Sequence, residues 1–127
     1  TALTDIIKIS PATHIFPWSP MATYSPDVDK FLVVWIDYMT DNVEWKLWGR
    51  FIKGDGTPSG NEFEIALDST SNLPVFNLGG ERTSMMRYDE KNKRFIVVYQ
   101  RKASGSNSAN SYQAILTTIN LQGQRDQ

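Results

Sequence analysis

The sequence predicts an all-β chain built from two tandem copies of one four-stranded antiparallel unit. Three observations carry this. A patterned segment of the first half recurs in the second half, its apolar residues alternate between Gly- and Pro-marked turns, and no segment combines helical periodicity with caps.

The repeat is plainest between residues 21–35 (MATYSPDVDKFLVVW) and residues 85–99 (MMRYDEKNKRFIVVY). Tyr24 matches Tyr88, Phe31 matches Phe95, and Val33-Val34-Trp35 matches Val97-Val98-Tyr99, with a polar turn in the same place in each. Looser matches flank it. Residues 47–56 (LWGRFIKGDG) resemble 114–123 (AILTTINLQG), and Asp5-Ile6-Ile7-Lys8-Ile9 resembles Glu62-Phe63-Glu64-Ile65-Ala66. The period is roughly 60 residues, in the size range of one β-propeller blade. The expected organisation is a single domain over 1–127, with repeats at about 11–67 and 75–124 and a separate N-terminal strand at 5–10.

Each copy offers strands in the same order. A short one comes first, at 21–24 or 85–88. The second, 30–37 or 94–101, is apolar on both faces: Phe31, Val33 and Trp35 point one way, Leu32, Val34 and Ile36 the other. Such a run suits a strand covered on both sides. The third is 43–53 or 112–120; in the first copy Val43, Trp45, Leu47 and Phe51 share one face, Trp48 and Ile52 the other. The Gly- and Pro-rich stretch 54–60 reads as a turn, and a fourth strand follows at 61–67. The second copy reaches Gly123-Gln124 without a fourth strand, whereas the lone strand at 5–10 is of the fourth type. The expected fold is therefore two four-stranded propeller-type blades, permuted so that the N-terminal strand completes a blade of another copy. Two blades do not close a propeller, which takes about 4–8. Identical chains forming a ring, an open filament, or a fragment completed by missing neighbours all satisfy the pattern.

The unit resembles a repeat of large secreted bacterial and archaeal proteins with propeller-like domains. The resemblance rests on Pro20 to Tyr24, Phe31 to Asp37, Gly49-Arg50, Gly54-Asp55-Gly56 and Phe63-Glu64-Ile65. The second copy departs from it: Tyr99 stands for the Trp, Arg101 for the Asp, and Leu116-Thr117 for the Gly-Arg. The resemblance implies a propeller-type fold and an extracellular or cell-surface setting, and no particular activity. In layout alone the chain is also similar to small two-blade lectins that trimerise.

Composition narrows the partners. Thirteen basic and fourteen acidic residues leave a net charge of −1, too little positive charge to neutralise a phosphate backbone. The longest apolar stretch, 31–36, is far short of the about 20 residues of a membrane span. No cysteine is present for a disulfide or a thiolate metal site. Neither nucleic acid nor membrane insertion is expected, and no signal peptide is evident.

Candidate chemistry is sparse. His14 is the one histidine and reads as a loop residue. Asp27 and Asp29 have a spacing that calcium sites use, but a full site needs about six oxygens, so a solvated turn is expected. Gly54-Asp55-Gly56 lacks the Lys-Ser/Thr of a phosphate loop. Asp37, Asp41 and Glu44 cluster near one loop without a glycosidase signature. Residues 102–111 (KASGSNSANS) read as an exposed, mobile loop. Trp18, Tyr38, Trp45 and Trp48 lie in or next to loops and edges, where rings stack on sugars or anchor partners; the plainer reading is packing. No catalytic residue, metal or cofactor is expected. The leading expectation is a non-enzymatic extracellular module that self-assembles, exchanging the strand of Asp5, Ile6, Ile7, Lys8 and Ile9. The alternative is a glycan-binding lectin using the four aromatics.

Overall fold

The computed structural model describes residues 6–11, 17–39, 44–68, 86–102 and 112–126. Among these are eight strands and no helix: β1 (Trp18–Ser25), β2 (Lys30–Met39), β3 (Glu44–Lys53), β4 (Pro58–Asp68), β5 (Met86–Asp89), β6 (Arg94–Lys102), β7 (Tyr112–Asn120) and β8 (Arg125–Asp126). They form two separate antiparallel sheets in simple meander order, β1-β2-β3-β4 and β5-β6-β7-β8. His14, Asp41 and residues 103–111 lie outside the described part.

Every strand expected within the two copies is present, with shifted ends. β1 starts at Trp18, ahead of a bulge between Trp18 and Met21. β4 starts at Pro58 rather than at 61, because proline is tolerated at the first residue of an edge strand, where no ladder donor is required. The register shifts again between Gly49 and Phe51, opposite Gly60, whose φ of 84° takes up the extra length. The expectation that the second copy lacks a fourth strand is corrected. Arg125–Asp126 pairs with Ile119 and Thr118 on β7 and begins one. Residues 6–9, expected as a strand, take part in no sheet of this chain, and Asp5 lies outside the described residues.

The repeat extends to the turns. Between β1 and β2 the chain reverses through a left-handed Asp29 (φ 49°), and between β5 and β6 through Lys93 (φ 53°) at the matching position. The β3–β4 and β7–β8 turns share one hydrogen-bond pattern. Lys53 N donates to Thr57 O at 2.8 Å and Gly56 N to Lys53 O at 2.8 Å; Asn120 N donates to Gln124 O at 2.9 Å and Gly123 N to Asn120 O at 3.1 Å. Gly56 and Gly123 have φ of 89° and 83°, the left-handed conformation that costs glycine least.

Alternation along the strands sorts the apolar side chains into two sets. Leu32, Val34, Ile36, Leu47, Phe51 and Ile65 of the first sheet pack with Met86, Phe95, Val97, Tyr99 and Ile119 of the second in one core. On the opposite face of the first sheet, Val33, Trp35 and Ile52 form a smaller cluster with Ile9 and Trp48. The two sheets are thus layers sharing one core, and β2 is buried from both sides. Gly49 leaves room for the Phe63 ring of β4: a Cβ there would lie 2.8 Å from two of its ring carbons.

Leu47 is fully buried and Leu116 is 64% exposed. Leu47→Ala is expected to lower unfolding stability by about 2–5 kcal/mol through lost burial and a residual cavity, and Leu116→Ala by less than about 0.5 kcal/mol. Urea titration of both variants, read by tryptophan emission, measures the contrast; equal losses would contradict the core assigned above.

Candidate functional site

Of the four aromatics singled out from the sequence, one is fully described. Trp48, half-buried on β3, joins the Val33, Trp35 and Ile52 cluster, with the Lys46 ammonium 5.7 Å from its ring centroid. Lys46 also pairs with Glu64 at 3.0 Å. Trp48 is therefore a packing residue of the outer face of the first sheet. Trp18 opens β1, and Tyr38 and Trp45 are cross-strand partners at the far end of the β2–β3 hairpin. The side chains of those three lie outside the described part. Asp37 is completely buried, cross-strand from Lys46, which takes it away from any solvent cleft; the Glu44 side chain is not described.

Asp27 and Asp29 stand on the exposed turn expected for them, and each takes a specific partner there. Asp29 accepts a hydrogen bond from Tyr24 Oη at 2.7 Å, within its own hairpin. Asp27 reaches the other sheet, accepting from Tyr88 Oη at 2.6 Å and from Lys93 Nζ at 2.5 Å. This clasp sits where the first turns of the two copies lie side by side. The Lys93 ammonium, and then the Tyr88 hydroxyl, hold the Asp27 carboxyl below the usual carboxylate range. Lys93 is pushed up in turn by its bond to Asp27. Tyr88 is pushed up by desolvation first and by its bond to Asp27 second. A second link joins the sheets further out, where Arg125 Nη1 donates to Ile65 O at 3.2 Å.

The N-terminal segment lies against the outer face of the first sheet. Arg50 Nη1 donates to Ile9 O at 2.7 Å, and Ile9 packs on the Val33, Trp35 and Ile52 cluster. Beneath the segment is a cavity of about 160 Å³ lined by Ile7, Ile9, Ser10, Pro17, Pro20, Val33 and Trp35. One side-chain hydroxyl, that of Ser10, stands among apolar walls. Ile6 projects fully into solvent.

The outer face of the second sheet carries no such cover among the described residues. Ile96 and Val98 are half-buried there, and Leu116 is the most exposed described aliphatic after Ile6. β7 is also uneven along its edge: β8 pairs with Thr118 and Ile119 alone, whereas β4 accompanies β3 from Ile52 to Trp45. The features with functional potential are thus two sheet faces and one strand edge. The edge follows from the missing fourth strand expected from the sequence; the two faces were not named sites there. The signal for the faces was the double-sided apolarity of 31–36 and its imperfect copy at 95–100.

The fold and these surfaces define an all-β two-sheet repeat protein. Compared with protein-family models, with curated proteins and with solved structures, the chain matches none.

Because the Asp27 carboxyl is held low in the folded chain, its contribution to stability is complete above the unfolded carboxylate value. It is lost as pH falls through the lowered folded value. Asp27→Asn is therefore expected to melt below the wild type near neutral pH, with the difference shrinking as pH falls from the unfolded carboxylate value, about 4, through the lowered folded one. Thermal melts of both proteins across that range measure it; a pH-independent difference would mean the carboxylate charge is not what the clasp uses.

Proposed function

We propose that the chain is a non-enzymatic β-repeat module that associates with further copies of itself by exchanging its N-terminal segment. The observation that carries this reading is that residues 6–9, alike in sequence to part of β4, join no sheet of their own chain. In the first sheet, β4 covers β3 over nearly its whole length. In the second, residues 112–117 of β7 have no fourth-strand partner among the described residues. Unpaired N–H and C=O groups on an edge are a template for an incoming strand.

Residues 5–9 can be placed on that edge by the repeat register, with Ile6 at the position of Phe63 and Lys8 at that of the buried Ile65. They match Glu62-Phe63-Glu64-Ile65-Ala66 of β4, and Phe63 pairs with Gly49 of β3. Transferred to the second copy, Ile6 falls opposite Leu116. A glycine facing a phenylalanine is thus replaced by two facing aliphatics, a cross-strand pair that would cover apolar surface on both strands. Both residues are solvent-exposed in the single chain, Ile6 fully and Leu116 by 64%. β8 occupies the other end of the same edge, and the two strands do not overlap in register.

Such a contact is heterologous, and it either closes a ring or continues as a filament. Blades of a propeller type fit the meander sheets and their layered packing, and a setting outside the cell fits the resemblance of the repeat to secreted proteins. Sugar binding is less well supported, because the cavity beside Trp35 offers little to hydrogen-bond a saccharide.

Deleting residues 1–10 is expected to lower the mass of the assemblies that the full chain forms at micromolar concentration, because the exchanged strand is gone. Light scattering after size exclusion reads the mass directly, and an unchanged oligomer after the deletion would sink strand exchange as the route.

A further inference from the structure

We infer that a second copy of this chain stacks on the first head to tail, its β1–β4 sheet against the free face of the first copy's β5–β8 sheet. The inference rests on the self-association proposed above, but not on strand exchange as its route.

The contact between the two sheets inside one chain supplies the template. There, Leu32 and Val34 of β2 face the core that contains Phe95 and Val97 of β6. In the repeat register, Leu32 and Val34 correspond to Ile96 and Val98, while Phe95 and Val97 correspond to Phe31 and Val33. Opposite faces of equivalent strands therefore meet. The free face of the second sheet is of the kind that the first sheet turns inward, and the free face of the first is of the kind that the second turns inward. A further copy placed by the same operation repeats an interface the chain already makes.

Charge provides an independent match. The internal contact is clasped by Lys93 on Asp27. By register, Lys93 corresponds to Asp29 and Asp27 corresponds to Lys91. The same geometry between chains brings Asp29 of the arriving copy against Lys91 of the first. Both signs are reversed, so the attraction is kept; a change at only one of the two positions would have set like charges together. Asp29 and Lys91 are both exposed on hairpin turns, and Asp29 shares with Lys93 a left-handed φ, 49° against 53°, so the two turns present these side chains alike.

Residues 7–10 lie on the face of the first sheet that the arriving copy must use, held there by Arg50 and by Ile9. Stacking displaces them. Release of this one segment uncovers a face and, if exchange also operates, frees the strand that would bind the open edge.

The test uses the full chain and sedimentation velocity over a concentration series. Asp29→Lys and Lys91→Asp are each expected to weaken association roughly three- to tenfold, because each sets like charges face to face. An equimolar mixture of the two variants, and the double variant, should both recover wild-type association to within about twofold. Circular dichroism checks that each variant is folded. Asp29→Asn, which suits a left-handed turn, is the substitute should the lysine unfold the hairpin, with a loss of roughly threefold expected. Single reversals without effect, or a mixture that recovers nothing, would overturn the stacking inference while leaving strand exchange standing. Reversals that still act when deletion of residues 1–10 leaves assembly unchanged would support stacking and remove exchange. A wild-type chain that stays monomeric at all concentrations overturns both.

Discussion

A strand that is apolar on both faces has to be covered twice, and β2 sets this requirement for the whole chain. Leu32, Val33, Val34, Trp35 and Ile36 are all buried, which a single sheet facing solvent on one side does not achieve. The second sheet covers one side through the shared core, and Ile9 with its neighbours covers part of the other. The meander order, the side-by-side turns and the place of the N-terminal segment all serve this double burial.

Polar contacts then fix how the layers sit. Apolar packing is non-directional and tolerates sliding, whereas the Asp27 clasp joins one turn of the first sheet to β5 and the turn of the second. Exposed ion pairs contribute little stability. The value of this one lies in register: together with Arg125 on the Ile65 carbonyl, it holds the two sheets at both the turn side and the β4 side. Tyr88 and Phe95 pack at a centroid distance of 5.0 Å, and Tyr24 and Phe31 at 4.9 Å, so the same aromatic pair braces both hairpins. Only the second tyrosine reaches across to the other sheet.

Much of this was legible in the residues. Period-two alternation placed the strands and correctly divided 31–36 between two faces, because side-chain direction in a strand follows from parity alone. Turn chemistry marked the hairpins. Bulges were not legible, since they depend on cross-strand partners rather than on local sequence. β8 was missed because two residues carry no periodic signal. The exchange of charge between Asp27 and Lys91, and between Asp29 and Lys93, stood in the aligned repeat. Which of these turns meet inside the chain became clear only from the sheets, where Lys93 pairs with Asp27. For Trp48 the plainer reading, packing, holds in an outer cluster, but which segment covers that face was not legible, because propensity cannot tell where a neighbouring segment will lie.

The close seating of Phe63 on Gly49 bears on how such a chain can change over generations. Leu116 of β7 stands where β3 carries Gly49, and even a Cβ at that point of β3 would press on the Phe63 ring. A recombination joining the second copy's β7 to the first copy's β4 would therefore produce an overfilled layer. Exchange of a single strand between the two copies would thus need a compensating change at Leu116 or at Phe63.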